Sequence, residues 1–287
     1  MNTSTKRALV LGGGGSTGNA WLIGIVAGLY DGGLDVTSPD LTIGTSAGST
    51  AAAQFAGAAP PDLYEMTIAP VPQRSGPGRP MTDHLERLKG VIASSENVDD
   101  WRRKMCKVAL EIDAASDGSW SAQWRETVAA RLPNAQWPER TIRITAVDAH
   151  TAEPIEFDRD SGVELVDAVA ASCAGGPPYR IGDDLYIDGG YRTNAENADL
   201  AAGYERVLVL SPLGGQTLHP PEWGTGLSAQ VDGLRAGGSR VVTVIPNSSD
   251  EHLFGANAMD FSLRPAAAQA GYEQATVIVE RLSEFWR

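Results

Sequence analysis

The sequence predicts an α/β protein, a three-layer α/β/α sandwich on a mainly parallel central sheet. Two observations carry this expectation. First, short apolar runs recur along the chain: Ala8-Leu9-Val10-Leu11, Leu41-Thr42-Ile43, Val207-Leu208-Val209-Leu210 and Val241-Val242-Thr243-Val244-Ile245. Such runs read as strands buried on both faces. Second, helical patterns alternate with them, which is the order of a sheet covered by helices on both sides. The chain opens with strand, glycine loop, helix and second strand, a βαβ unit that is right-handed by default.

Taken in order, residues 20–30 are apolar almost all round and read as a buried helix, closed by Asp31-Gly32-Gly33. Residues 60–135 change character. Helical patterns fall at about 81–94, 98–114 and 119–131, with no strong strand signal until Thr141. We read this stretch as a helical insertion within one domain spanning residues 1–287, a length that a single large α/β unit accommodates. Pro70, Pro72, Gly76, Pro77, Gly78 and Pro80 make a loop that no helix or strand could hold, expected as a mobile flap over the site or as a solvated connector. Residues 141–147 alternate and are β-branched, so they form a strand, with 154–157 pairing as a hairpin. Residues 163–172 read as an amphipathic helix, 185–187 as a short strand, and 265–286 as one long terminal helix with Pro265 in its first turn.

The segment Gly44-Thr45-Ser46-Ala47-Gly48 follows the second apolar run and precedes an alanine-rich stretch. Strand, sharp turn and helix with a serine at the apex form a nucleophile elbow. Glycines flank Ser46 because strand and helix backbones come too close there for a Cβ. The loop Gly12-Gly13-Gly14-Gly15-Ser16-Thr17-Gly18 admits three readings. A dinucleotide fingerprint requires an acidic residue at the carboxyl end of the second strand, where the Ser46 elbow stands instead. A P-loop requires Lys-Ser/Thr after the last glycine, where Asn19-Ala20 stands. An oxyanion hole needs only converging backbone N–H groups, and Gly13, Gly14 and Gly15 supply them beside the elbow. Asp188-Gly189-Gly190, taken alone, reads as a turn. His219 and His252 follow it and would suit the base of a Ser-Asp-His triad, although such hydrolases have several strands before the elbow.

These motifs together resemble the patatin-like phospholipases, acyl hydrolases with a Ser-Asp dyad. The glycine loop, the Gly44 to Gly48 elbow and Asp188-Gly189-Gly190 stand in the family's order, and the likeness covers roughly residues 7 to 212. Ala171-Ser172-Cys173-Ala174 and Asn197-Ala198-Asp199-Leu200 resemble the family's approach to and exit from the aspartate. The resemblance implies Ser46 as nucleophile, Asp188 as its base, an oxyanion hole at Gly13, Gly14 and Gly15, lipid or acyl-ester substrates, and neither metal nor organic cofactor. Thr17 departs from the pattern, since many bacterial members carry Arg or Lys there. A conventional Ser-His-Asp esterase and a non-catalytic acyl-binding protein on the same fold are the alternatives.

The net charge of −13 argues against nucleic acid as a partner and against tight docking on anionic membrane. A transient contact with a membrane surface stays compatible with it. Arg102, Arg103, Lys104 and Lys107 form one basic cluster, read as a solvated helix face or as a contact for acidic headgroups. Cys106 and Cys173 match no metal or redox spacing and read as reduced thiols of a cytoplasmic protein. The first residues read as a polar leader, and glycines break the apolar segment after it, unlike a signal peptide.

Overall fold

The computed structural model of the chain describes residues 5–70 and 81–287, the side chains of residues 81–84 apart. Strand β1 (Arg7–Leu11) lies inside the sheet. Its side chains alternate between two cores: Leu9 and Leu11 face one, Ala8 and Val10 the other. That is why the run is apolar at every position. Helix α1 (Gly15–Asp31) returns the chain to β2 (Leu41–Gly44), which pairs in parallel with β1. Helices α2 (Ala47–Gly57), α3 (Pro60–Ile68), α4 (Met81–Ala93), α5 (Val98–Ala114) and α6 (Trp120–Ala129) follow. The expected flap lies, from residue 71 to 80, outside the described residues.

Strands β3 (Ile142–Asp148) and β4 (Pro154–Phe157) form the predicted hairpin. Then come α7 (Leu165–Ser172), β5 (Tyr179–Ile181), β6 (Asp184–Asp188), β7 (Arg206–Leu210), α8 (Leu227–Ala236), β8 (Arg240–Val244) and α9 (Arg264–Trp286). The strand path is β5-β6-β3-β2-β1-β7-β8, with β4 off the path on β3. The run from β3 to β8 is parallel, and β4, β5 and β6 supply antiparallel pairs. The architecture is the expected α/β/α sandwich. On one face α8 packs Leu227, Val231 and Leu234 against β1, β7 and β8. The other face carries α1, α2, α7 and α9. Helices α1 and α9 touch backbone to backbone, and a Cβ on Gly24 would stand 1.9 Å from the Ala268 carbonyl oxygen.

One feature of β3 positions the site. Thr42 N donates to the Thr141 carbonyl, and Ala149 N donates to the Leu185 carbonyl. Residues 141 and 149 are an even number apart, so both turn their backbone to the same side of β3. Strands β2 and β6 therefore lie end to end on that side, with β4 on the other. Gly44 stops opposite Ile144, and Asp188 stops opposite Ala146. The two chain ends meet across Thr145.

Four elements depart from the sequence expectation. Helix α1 begins at Gly15, within the glycine loop, so half of that loop is a first helical turn. Helices α3 and α8 and the three-residue strand β5 carry too weak a pattern to be read. The basic cluster on α5 is internally compensated. Arg102 pairs with Asp99, Arg103 and Lys104 with Asp100, and Lys107 with Glu111. Beneath it Trp101, Met105 and Cys106 pack on Val147, Leu185 and Ile187 beside the end of β6.

Candidate active site

Ser46 stands between β2 and α2 with φ 52° and ψ −115°, a conformation that L-residues rarely adopt. The fold holds it there from both sides. Its N–H donates to Ser172 Oγ at 2.9 Å. Its carbonyl accepts from Ser49 Oγ at 2.6 Å, from Cys173 Sγ at 3.1 Å and from the Ser49 and Thr50 N–H groups. Burial, with the Asp188 charge adding to it, pushes the Cys173 thiol up to about 11, so the sulfur keeps its proton to donate. The flanking glycines are there for space. A Cβ on Gly48 would sit 1.9 Å from the Leu11 carbonyl oxygen, and one on Gly44 would sit 2.7 Å from Ser49 Cα.

Asp188 closes β6, its N–H bonded to the Ala174 carbonyl at 3.0 Å. Its Oδ1 accepts from the Gly190 N–H at 2.8 Å. Desolvation raises the carboxyl pKa to about 6, against the Gly190 N–H and the Ser46 hydroxyl, which both hold the charged form. The strand ends that meet across Thr145 bring Ser46 and Asp188 together, near enough for the serine hydroxyl to favour the charged carboxylate.

The glycine loop runs beside them. A Cβ on Gly13 would lie 3.4 Å from Ser46 Cβ. The three glycines are not equivalent, however. The Gly13 N–H donates to the Ala195 carbonyl at 2.8 Å, so it anchors the loop and is not free as an oxyanion donor. Gly14 and Gly15, and Ser16 after them, have N–H groups without an acceptor among the described residues. Gly15 takes φ +64°, and a side chain there would meet Ala258.

Two helix N-termini and one cation face the loop. The N-termini of α1 and α2 both open here, and neither has an acidic residue in its first turn. Arg264 of α9 donates to the Ser16 carbonyl at 2.7 Å and to Asn19 Oδ1 at 3.1 Å. Desolvation and the charge of Arg131 lower its pKa to about 10. A cation thus reaches the loop from the far end of the chain, while Thr17 is buried with its hydroxyl unpartnered among the described residues.

His219 and His252 have partners other than Ser46 and Asp188. His219 Nδ1 pairs with Thr225 Oγ1 at 2.8 Å, and its ring packs against Trp101 and Trp223. Burial lowers its pKa to about 4. His252 Nδ1 meets the Ser249 carbonyl at 3.0 Å. Among the described residues no group of three or more His, Cys, Asp or Glu is placed to hold a metal ion.

Sequence reasoning missed the groups that hold the site together. Thr45 and Thr145 share a hydrogen bond of 2.9 Å, and Asn197 bonds to both. Glu196, 1% exposed, accepts from Ser211 Oγ at 2.6 Å beneath Gly12. Burial raises its pKa to about 6.

No curated protein matches the sequence. Among solved structures the chain is similar to VipD from Legionella pneumophila, with a TM-score of 0.45 and 14% identity over 96% of this chain and 67% of that one. It is also similar to ExoU of the Pseudomonas aeruginosa type III secretion system, in complex with SpcU, with a TM-score of 0.41 and 15% identity. A second structure, of type III effector protein ExoU, gives a TM-score of 0.39 and 14% identity. This chain is covered to 99% and 96% in those two comparisons and spans 53% of the ExoU chain in each. A family model described as patatin-like phospholipase matches residues 9–201, which take in the glycine loop, the Ser46 elbow and Asp188. The chain belongs to the patatin-like phospholipase family.

Proposed function

We propose that this chain hydrolyses acyl esters of lipids through a Ser46-Asp188 dyad. The observation that carries the reading is the pairing of a backbone-strained serine with a carboxylate whose pKa is raised to about 6. A serine hydroxyl needs a base, and a carboxylate becomes a better one when its environment favours its protonated form. Ser46 Oγ attacks the ester carbonyl as its proton passes to Asp188. The N–H groups of Gly14 and Gly15, with the α1 and α2 N-termini behind them, hold the negative charge on the former carbonyl oxygen. Collapse of that intermediate expels the alcohol, which leaves with the proton from Asp188. Water then attacks the acyl-enzyme, gives a proton to Asp188, and the acid departs as Ser46 regains its hydrogen. Gly13 serves by fixing the loop.

The helical stretch of residues 60–135 is read as a cap within the same domain. The free thiols Cys106 and Cys173 fit a reducing, cytoplasmic setting. No described helix is long and apolar enough to cross a membrane.

The test is a panel of phospholipid, lysophospholipid, glyceride and p-nitrophenyl esters of varied chain length. The wild type is expected to hydrolyse at least one class, with activity rising through about pH 6 as Asp188 ionises. Ser46→Ala should lose turnover and fluorophosphonate labelling together while its thermal midpoint stays near wild type. Turnover by the alanine variant at a comparable rate would remove Ser46 from the chemistry.

A further inference from the structure

Strands β2 and β6 do not pair with each other; each is held by β3. Their ends must still be fixed relative to one another. Asn197 lies at that junction. It is fully buried, in the left-handed conformation with φ 53° and ψ 39°. Its Nδ2 donates to the Gly189 carbonyl at 2.9 Å and to Thr45 Oγ1 at 3.1 Å, with Thr145 Oγ1 at 3.4 Å. Gly189 follows Asp188, and Thr45 precedes Ser46. One amide group thus ties the serine's strand to the aspartate's strand. The junction has no slack, since a Cβ on Gly189 would stand 2.1 Å from Thr145 Oγ1.

The amide is itself held from behind. Asn197 Oδ1 accepts from Thr193 Oγ1 at 3.0 Å and from Arg192 Nη1 at 3.2 Å. Arg192 is locked by two bonds to Asp199, at 2.9 and 2.7 Å. Asn197 N–H donates to Asn194 Oδ1 at 2.8 Å. Only an amide satisfies this arrangement, because it presents donors to Gly189 and Thr45 and an acceptor to Arg192 and Thr193. An aspartate of the same shape would turn an acceptor toward the Gly189 carbonyl, an unpaired contact in a buried site.

We propose that Asn197 is a positioning residue that sets the separation of Ser46 and Asp188. The inference rests on the reading of those two groups as an ester-hydrolysing dyad. Misplacement of reacting groups by an ångström costs rate without touching substrate binding.

The test measures steady-state hydrolysis of a soluble p-nitrophenyl ester by the full chain, as kcat and KM separately. Asn197→Asp, which tolerates the left-handed backbone, should lower kcat about ten- to a hundredfold with KM within about twofold of wild type. Fluorophosphonate labelling should slow in parallel. A second pair covers the case of a variant that does not fold. Thr45→Ser keeps the hydroxyl and should keep kcat, whereas Thr45→Val loses it and should lower kcat. Wild-type kcat per folded molecule in Asn197→Asp, or equal kcat in Thr45→Ser and Thr45→Val, overturns the positioning role. A Ser46→Ala variant that still turns over esters overturns the dyad instead, so the two failures are distinct.

Discussion

Asp188 keeps a charge that its surroundings disfavour. Its carboxyl titrates near pH 6 in the folded chain, above its ordinary value of 3.8. Between about pH 4 and pH 6 the folded state therefore holds more protons than the unfolded one, and stability falls as pH rises through that window. Above pH 6 the cost is complete, at up to about 3 kcal/mol for a shift of this size. Asp188→Asn should remove it, since an amide oxygen can still accept from the Gly190 N–H. The variant is expected to be more stable than wild type at pH 7.5, with the gain gone by pH 4. Denaturant unfolding at several pH values, read as the difference between the two proteins, checks this. The difference isolates Asp188 from Glu196, whose raised pKa acts in the same direction, and from His219, whose lowered pKa acts oppositely. A gain that persists at pH 4 would place its cause elsewhere. Ser46 could be read in the sequence because glycines at fixed spacing mark where backbones meet, whereas Asp188 taken alone reads as a turn and stands out only through the family resemblance. The segment of Asn197 resembles the family's, but the contacts of its amide could not be read, because its partners lie 8, 52 and 152 positions away.

At the scale of elements, backbone contact between α1 and α9 sets how closely the two helices pack. Gly24, Gly28 and Gly271 let the two helices close to van der Waals contact. A Cβ on Gly24 would lie 1.9 Å from Ala268 O, where only separation of the helices could relieve it. Gly24→Ala should cost more than about 3 kcal/mol through overpacking of this seam. Gly233 on α8 has nothing within 4 Å of an added Cβ. Gly233→Ala should be neutral or stabilising by up to about 1 kcal/mol through helix propensity. Thermal or urea midpoints of the two variants check the contrast, and equal effects would deny the seam its role. The long, strongly apolar elements were legible for the reason they are stable: each is buried on both faces. Helix α8 was not, because Gly226, Gly233 and Gly237 blur its pattern. The start of helix α1 is not legible, because its first turn, Gly15-Ser16-Thr17-Gly18, consists of glycines and small polar residues.

For the whole molecule, net charge sets which surfaces it approaches. The chain carries −13, and Arg103, Lys104 and Lys107 are offset by acids on their own helix. Hydrolysis of one ester presented in vesicles should be faster on zwitterionic than on anionic lipid at low salt. The gap should close as salt is raised and the Debye length shrinks. A preference for anionic vesicles at low salt would mean that a local basic surface outweighs the net charge.

The central claim is that Asp188, and no histidine, is the base for Ser46. Hydrolysis of a soluble p-nitrophenyl ester by Asp188→Asn and His219→Ala, normalised to folded protein, tests it most directly. The account predicts that Asp188→Asn loses nearly all activity, because asparagine cannot take the serine proton. His219→Ala should keep most of its activity and lose stability instead, as the packing of Trp101 and Trp223 opens. Full activity in Asp188→Asn with collapse in His219→Ala would contradict the dyad.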